Sequence, residues 1–249
     1  MSPITVVILA YNEEARIGEV LEGLRGLHIP GLKVVVVDDG SIDGTAEVAR
    51  SFADRLALEV VCHPKNLGVA RTFETGLRFA ARRSGPSDVI VTMEGDGTND
   101  PETVARLARC IWEGADVVCA SRYRPGGGYY GFPLKRKILS LGANYFMRWY
   151  FGIPDVRDYT LFCRAYQAKV IQDALARYNS SFIECEGFVS NVEILVKISR
   201  MDRFRFGEVA MRYSYEKKRS KSGMRVWKNL REYVRFFKSN VDYYRGGRR

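Results

Sequence analysis

An α/β fold, with a mainly parallel sheet flanked by helices, is predicted by three observations. Short apolar runs rich in β-branched residues recur between residues 5 and 120, amphipathic stretches of helical period separate them, and acidic or polar residues follow the runs. Strands apolar along their whole length belong to sheets covered on both faces, and their alternation with helices is the pattern of parallel crossover units. A chain of 249 residues is long enough to bury such a core as one domain. The pattern assigns residues 1–213 to that domain and leaves 214–249 as a basic loop and a C-terminal amphipathic helix.

Residues 5–10 (TVVILA) form the first expected strand. A helix is expected over 14–27, where Ile17, Val20, Leu21 and Leu24 share one face. The same alternation places strands at 33–37, 58–62, 89–93 and 117–120, with helices at 45–54, 68–83 and 101–113. After Arg122 the alternation breaks into a Gly-rich loop, 125–128, and a helix over 134–151. Residues 155–164 read as irregular; helices follow at 166–177 and 187–200, then a strand at 205–213, a basic loop at 217–223 and a final helix at 224–243.

The formal net charge of +10 is local: residues 200–249 hold 16 Lys and Arg against 5 Asp and Glu, which leaves the first 199 residues near neutrality. Such a segment fits an anionic membrane, a nucleic acid or a phosphorylated substrate, and composition does not choose among them. The five cysteines are odd in number and lack C-x-x-C spacing, which argues against a disulfide framework or a zinc site and for a reducing cytosol. With His28 and His63 as the only histidines, a His-rich metal site or a Ser-His-Asp triad is not expected. No signal peptide is expected at the N-terminus, and no apolar run approaches the roughly 20 residues of a spanning helix.

In parallel sheets ligands bind at the carboxyl ends of the strands, so the residues just after each strand are the candidates for function. Glu94-Gly95-Asp96-Gly97-Thr98 sets carboxylates among glycines that allow close backbone approach, which suits a divalent cation; a tight Asp-Gly turn leading into a helix explains the same letters equally well. Asp38-Asp39-Gly40-Ser41 repeats the arrangement one strand away, where an acid can accept hydrogen bonds from a ribose or base, while Asp43 reads as a helix cap. Arg122 stands at a third strand end, where a cation within reach of phosphate is favoured over surface solvation.

The ordered succession AYNEE, VVVVDDGSIDGT, HPKNLGVARTFETGL, MEGDGTNDP, ADVVCASRY, GGG, LKRK, RDYTLFCRAY and RSKSG covers nearly the whole chain. It resembles the family 2 glycosyltransferases of the GT-A fold, in particular the polyprenyl-phosphate mannose synthases; each word is weak alone, and their order and spacing carry the likeness. The resemblance implies an inverting transfer from a nucleotide-sugar donor, GDP- or UDP-linked, to a polyprenyl phosphate, with Mg²⁺ or Mn²⁺ as cofactor. By position it assigns Ala10, Tyr11, Glu13, Asp39, Glu94, Gly95 and Asp96 to the donor pocket, and Asp96 with Thr98 to the metal. Arg122, Arg136 and Lys221 are implied phosphate ligands, and Asp96, Asp158 and Arg122 the catalytic set. The chain departs from the family pattern at Glu94 and Thr98, at Tyr159, Leu161 and Phe162 in the 158–164 segment, and at Glu216 and Lys218 ahead of Ser220 and Lys221.

Two helices bear on a membrane. Residues 134–151 offer Ile138, Leu139, Leu141, Phe146, Met147, Trp149 and Tyr150 beside Lys135, Arg136, Lys137 and Arg148, and 226–244 offer Trp227, Leu230, Val234, Phe237 and Val241 beside Lys228, Arg231, Arg235 and Lys238. This composition describes an interfacial helix or one packed on the sheet; their joint basicity favours a peripheral, cytoplasmic-face location. Three other readings compete. One is a family 2 enzyme with a soluble or glycan acceptor, which would not sediment with liposomes. Another is a basic nucleic-acid-binding protein, disfavoured because the aromatics of 200–249 follow a helical face and the strand-end acids repel phosphates. The third is a non-catalytic nucleotide-binding homologue, which turnover would exclude.

Overall fold

The computed structural model describes residues 1–131, 133–201, 204–214 and 226–239. Its first half is a regular alternation: β1 (Ile4–Ala10), α1 (Glu14–Gly26), β2 (Leu32–Asp38), α2 (Thr45–Arg50), β3 (Ala57–Cys62), α3 (Val69–Arg83), β4 (Val89–Glu94), α4 (Glu102–Trp112) and β5 (Val117–Ser121). Each expected strand is present within a residue of its expected bounds. The second helix stops at Arg50 rather than near residue 54, and a series of turns carries the chain on to β3.

The second half is less regular. It runs β6 (Gly128–Tyr130), α5 (Leu134–Phe151), β7 (Arg164–Gln167), α6 (Ala168–Tyr178), a one-turn 3-10 segment, α7 (Val189–Ser199), β8 (Phe206–Ala210), β9 (Arg212–Ser214) and α8 (Val226–Ser239). The main sheet has the order β3-β2-β1-β4-β7-β5-β8, and only β7 runs against its neighbours. β7 occupies the start of the expected 166–177 helix and the end of the stretch read as irregular. Its first residue, Arg164, is fully buried, and a buried arginine in a four-residue strand has no periodic signature. Its guanidinium finds partners only in three dimensions, Nη1 donating to the carbonyl of Asn191 (2.6 Å) and Nη2 to that of Tyr159 (2.7 Å). The expected 205–213 strand is two strands: at Met211 the chain leaves β5, and β9 pairs instead with β6 in a small parallel sheet.

Strand alternation divides the core in two. Val7, Leu9, Val35 and Val37 face α3, α6 and α7, whereas Val6, Ile8, Val34 and Val36 face α1 and α4. At about 1.5–3 kcal/mol per buried aliphatic side chain, these two faces are the main favourable term in the fold. Where α3 crosses the sheet a side chain would not fit: a Cβ at Gly76 would lie 2.3 Å from Val7 Cγ1. Register then sets the site, because Ala10 lies opposite Asp38, Leu9 opposite Glu94 and Asp38 opposite Cys62. The segments that follow β1, β2 and β4 therefore emerge level with one another at one sheet edge.

Candidate active site

At that edge backbone bonds extend the ladder past the strands. Asp39 N–H donates to Ala10 O (2.9 Å), Gly95 N–H to Leu9 O (2.8 Å) and His63 N–H to Asp38 O (2.8 Å). Asn12, with φ of +53°, turns the chain after β1; its backbone N–H donates to Ser41 Oγ (2.9 Å) and its side-chain carbonyl accepts from Ile42 N–H (3.0 Å). Gly40 is required by its φ of +68° and by contact, since a Cβ there would sit 2.4 Å from the Lys65 carbonyl carbon. The turn after β2 and the 63–68 loop are thus pressed together.

A cavity of about 850 Å³ opens there. Ala10, Tyr11, Glu13, Asp39, Glu94, Gly95 and Asp96, the seven residues expected around the donor, all line it. Asn66 to Thr72, Ile183 to Phe188 and Glu232 complete the wall. Asp39 is buried and organises its surroundings: its carboxylate accepts the N–H groups of Leu67 and Gly68 (2.8 Å each) and meets His63 Nδ1 at 2.8 Å, while His63 Nε2 lies 3.0 Å from Thr75 Oγ1. Much of its bonding capacity is therefore spent on shaping the loop that borders the cavity.

Asp96 is 3 % exposed, and its Oδ1 accepts the N–H (3.0 Å) and hydroxyl (2.5 Å) of Thr98. Thr98, expected beside the metal, is turned toward Asp96 and does not line the cavity. Carboxylate oxygens at Glu94 and Asp96 are hard donors that fit Mg²⁺ or Mn²⁺. Among the described residues no cluster of three His, Cys, Asp or Glu forms a closed cage. Ions of this kind can be bound through one or two carboxylates together with substrate phosphates and water.

Arg122 and Asp158 come together with each other rather than with this cavity. Arg122 Nε and Nη2 donate to Asp158 Oδ2 (2.7 Å) and Oδ1 (2.8 Å), the Arg122 backbone N–H adds a third bond (3.1 Å), and Nη2 also reaches Thr160 Oγ1 (2.6 Å). The two side chains are 6 % and 0 % exposed. Burial disfavours the guanidinium charge, but the Asp158 carboxylate more than offsets this and holds the pKa of Arg122 above its ordinary value. Rings of Tyr123, Tyr129 and Tyr213 surround Arg122 at 4.9–5.7 Å. Asn144 of α5 ties the cluster to that helix, accepting Tyr159 N–H (2.6 Å) and donating to Thr160 Oγ1 (3.2 Å). Glu208 holds the segment from the other side through the N–H groups of Arg157 (2.6 Å) and Asp158 (2.8 Å). Arg136 lies in the first turn of α5, half-buried and outside the cavity lining. Lys221, with the whole 217–223 loop, lies outside the described residues.

Sequence reasoning did not single out 183–188 or Glu232. The first lies between two helices and the second on a helix face, so neither follows a strand, and only the fold brings them to the cavity.

Comparison with known proteins places the chain among enzymes of one kind. The model of the family described as "Glycosyl transferase family 2" matches residues 5–175. The polyprenol monophosphomannose synthase of Mycolicibacterium smegmatis is 30% identical over 191 residues, 76% of this chain and 69% of that protein. The undecaprenyl-phosphate mannosyltransferase of Micrococcus luteus is 30% identical over 201 residues, 80% and 79% of the two chains. Among solved structures, glucosyl-3-phosphoglycerate synthase from Mycobacterium tuberculosis, in complex with Mn²⁺, uridine diphosphate and glucosyl-3-phosphoglycerate, matches with a TM-score of 0.65 over 98% of this chain and 80% of that one. At 19% identity that match establishes the fold alone.

Proposed function

The chain belongs to glycosyl transferase family 2 and has the GT-A fold, and from that membership we propose that it is an inverting enzyme moving a sugar from a GDP- or UDP-linked donor to a polyprenyl phosphate, with Mg²⁺ or Mn²⁺ bound. The observation that carries the donor half is the convergence of seven residues from three separate strand ends on one cavity. The acceptor half is supported by relatives whose names give polyprenol or undecaprenyl phosphate. It is supported also by α5, whose residues Leu134, Ile138, Leu141, Tyr145 and Trp149 recur at helical spacing and are 43–77 % exposed. No helix among the described residues is long and apolar enough to cross a membrane. Contact in this reading is peripheral, at the cytoplasmic face, through α5 and the exposed Arg231, Val234, Arg235 and Lys238 of α8.

In the proposed reaction an acceptor phosphate oxygen attacks the anomeric carbon opposite the leaving group. The bond from that carbon to the diphosphate oxygen breaks, and the electron pair departs with the nucleoside diphosphate. Tyr11, Glu13 and the Asp39-ordered loop hold the base and ribose. Glu94 and Asp96 would hold the divalent ion, which supplies positive charge to the departing diphosphate. A phosphate acceptor is already ionised near neutral pH and needs no general base. Asp158, engaged by Arg122, accordingly serves as a positioning residue for the acceptor edge, and Arg136 and Lys221 are left as the phosphate ligands.

Incubation with nucleotide-sugars, a short polyprenyl phosphate and Mn²⁺ is expected to yield a polyprenyl-phosphate sugar, detected by mass spectrometry. Asp96→Ala should lower the rate by at least about 10²–10³, the range for loss of one group that stabilises transition-state charge. Undiminished transfer by that variant would refute the metal assignment.

A further inference from the structure

His63 is a buried titratable group that the proposed reaction does not use. It follows β3, and its backbone N–H donates to Asp38 O at the end of β2. Its side chain, 8 % exposed, bridges two elements: Nδ1 lies 2.8 Å from Asp39 Oδ1, and Nε2 lies 3.0 Å from Thr75 Oγ1 on α3. A carboxylate only accepts, so the proton of the neutral ring sits on Nδ1, and Nε2 takes the hydroxyl proton of Thr75. The ring is thus held from α3 in one tautomer, with its donor directed at Asp39.

His63 does not line the main cavity; it lines a neighbouring hollow of about 500 Å³ that shares Tyr11 and Asn66 with it. Asp39 is the reverse, lining the cavity and not the hollow. The route from the imidazole to the cavity is therefore the Asp39 carboxylate. Its Oδ1 also accepts Leu67 N–H and its Oδ2 accepts Gly68 N–H, and both residues belong to the stretch from Asn66 to Thr72 that forms one wall. Three donors hold this carboxylate, which is 3 % exposed, so bulk water is not at hand to replace one that is lost. Two of them are backbone groups of the loop that Asp39 orders. The third, the imidazole, is the one tied also to α3.

We propose that His63 is a positioning residue for the donor nucleotide: it fixes the Asp39 carboxylate, and through it the wall from Asn66 to Thr72, in the shape that takes the nucleotide. The proposal rests on reading the cavity as a nucleotide-sugar site. Calorimetric titration of the full chain with GDP and UDP in the presence of Mn²⁺ tests both. For whichever nucleotide binds, His63→Asn, whose amide N–H stands in for Nδ1–H, should bind nearly as the wild type does. His63→Gln, whose amide reaches the Nε2 position instead, and His63→Ala should each bind about tenfold more weakly, the scale of one hydrogen bond to a charged acceptor. A side chain that merely fills space gives the opposite order, with the larger Gln retaining more affinity than Asn. A His63→Gln variant equal to the wild type would overturn the proposal, as would a His63→Asn variant as weak as His63→Ala. Nitrogen-15 NMR of the wild type tests the geometry without a variant, because His28 and His63 are the only histidines. At a pH of about 8, where an ordinary imidazole is neutral, the His63 ring should carry its proton on Nδ1, and a proton on Nε2 would overturn the proposal. A wild type that binds neither nucleotide would instead overturn the donor-site reading, and this proposal with it, before any variant is compared.

Discussion

Arg122 and Asp158 form a closed electrostatic unit: three hydrogen bonds join them, a fourth runs to Thr160, and almost none of either side chain meets solvent. Removing one partner of such a pair strands a buried charge, whereas removing both leaves a cavity without one. Arg122→Met and Asp158→Leu are each expected to lower unfolding free energy by about 3–5 kcal/mol, and the double variant by clearly less than their sum. Urea unfolding of the three variants measures this, and strict additivity would show that the pair is not a unit. The same geometry explains why these residues, expected singly as a phosphate ligand and as members of the catalytic set, answer first to each other.

At the scale of elements, α5 carries two opposed faces. Met147, Phe151 and Asn144 are buried against the body of the protein. Phe146 and Tyr150 meet Phe237 of α8 at 5.0 and 5.2 Å. The other face presents the Leu134, Ile138, Leu141, Tyr145 and Trp149 stripe, with exposed Lys137 and Arg148 beside it. An exposed side chain contributes little to folding, so Ile138→Ser with Trp149→Ser should leave the thermal midpoint nearly unchanged. The same pair should release the protein from liposomes containing anionic lipid, because the buried apolar area drives interfacial binding. Co-sedimentation equal to that of the wild type would remove α5 from the membrane contact. The helix period over 134–151 was legible in sequence, but which half of a mixed apolar surface stays outside depended on where β6, the 159–160 segment and α8 fall.

For the molecule as a whole, charge is segregated. The described residues lining the cavity include seven carboxylates and one guanidinium, while the last fifty residues hold most of the positive excess. A diphosphate entering an acidic cavity needs a counter-cation, so nucleotide should stabilise the fold only with divalent metal present. At a nucleotide concentration of 100 Kd the gain is about 2.7 kcal/mol, which for a chain of this size is roughly 5–10 °C in Tm. Scanning calorimetry should show that shift with Mn²⁺ and lose it with EDTA. A shift that survives EDTA would mean the cavity binds nucleotide without metal.

The strands β1, β2, β4 and β5 and the residues that follow them were legible in the chain alone, because burial of a parallel strand leaves an uninterrupted apolar run and the candidate site lies just beyond its end; β3, expected to be as buried, is the largely exposed edge strand and was legible from its β-branched residues instead. Local patterning could not reveal β7, the β8–β9 break, or the wall made by 183–188 and Glu232. Arg164 is buried against the carbonyl of Asn191 on α7, Met211 turns where it meets Ser121, and Glu232 reaches the cavity only because α8 packs on the core. Amino-acid order by itself determined the fold class, the family and the residues that meet around one cavity at the sheet edge. Tertiary structure decided which charges neutralise one another and which remain facing the cavity, since pairing of buried charges depends on distances between segments that no local period encodes.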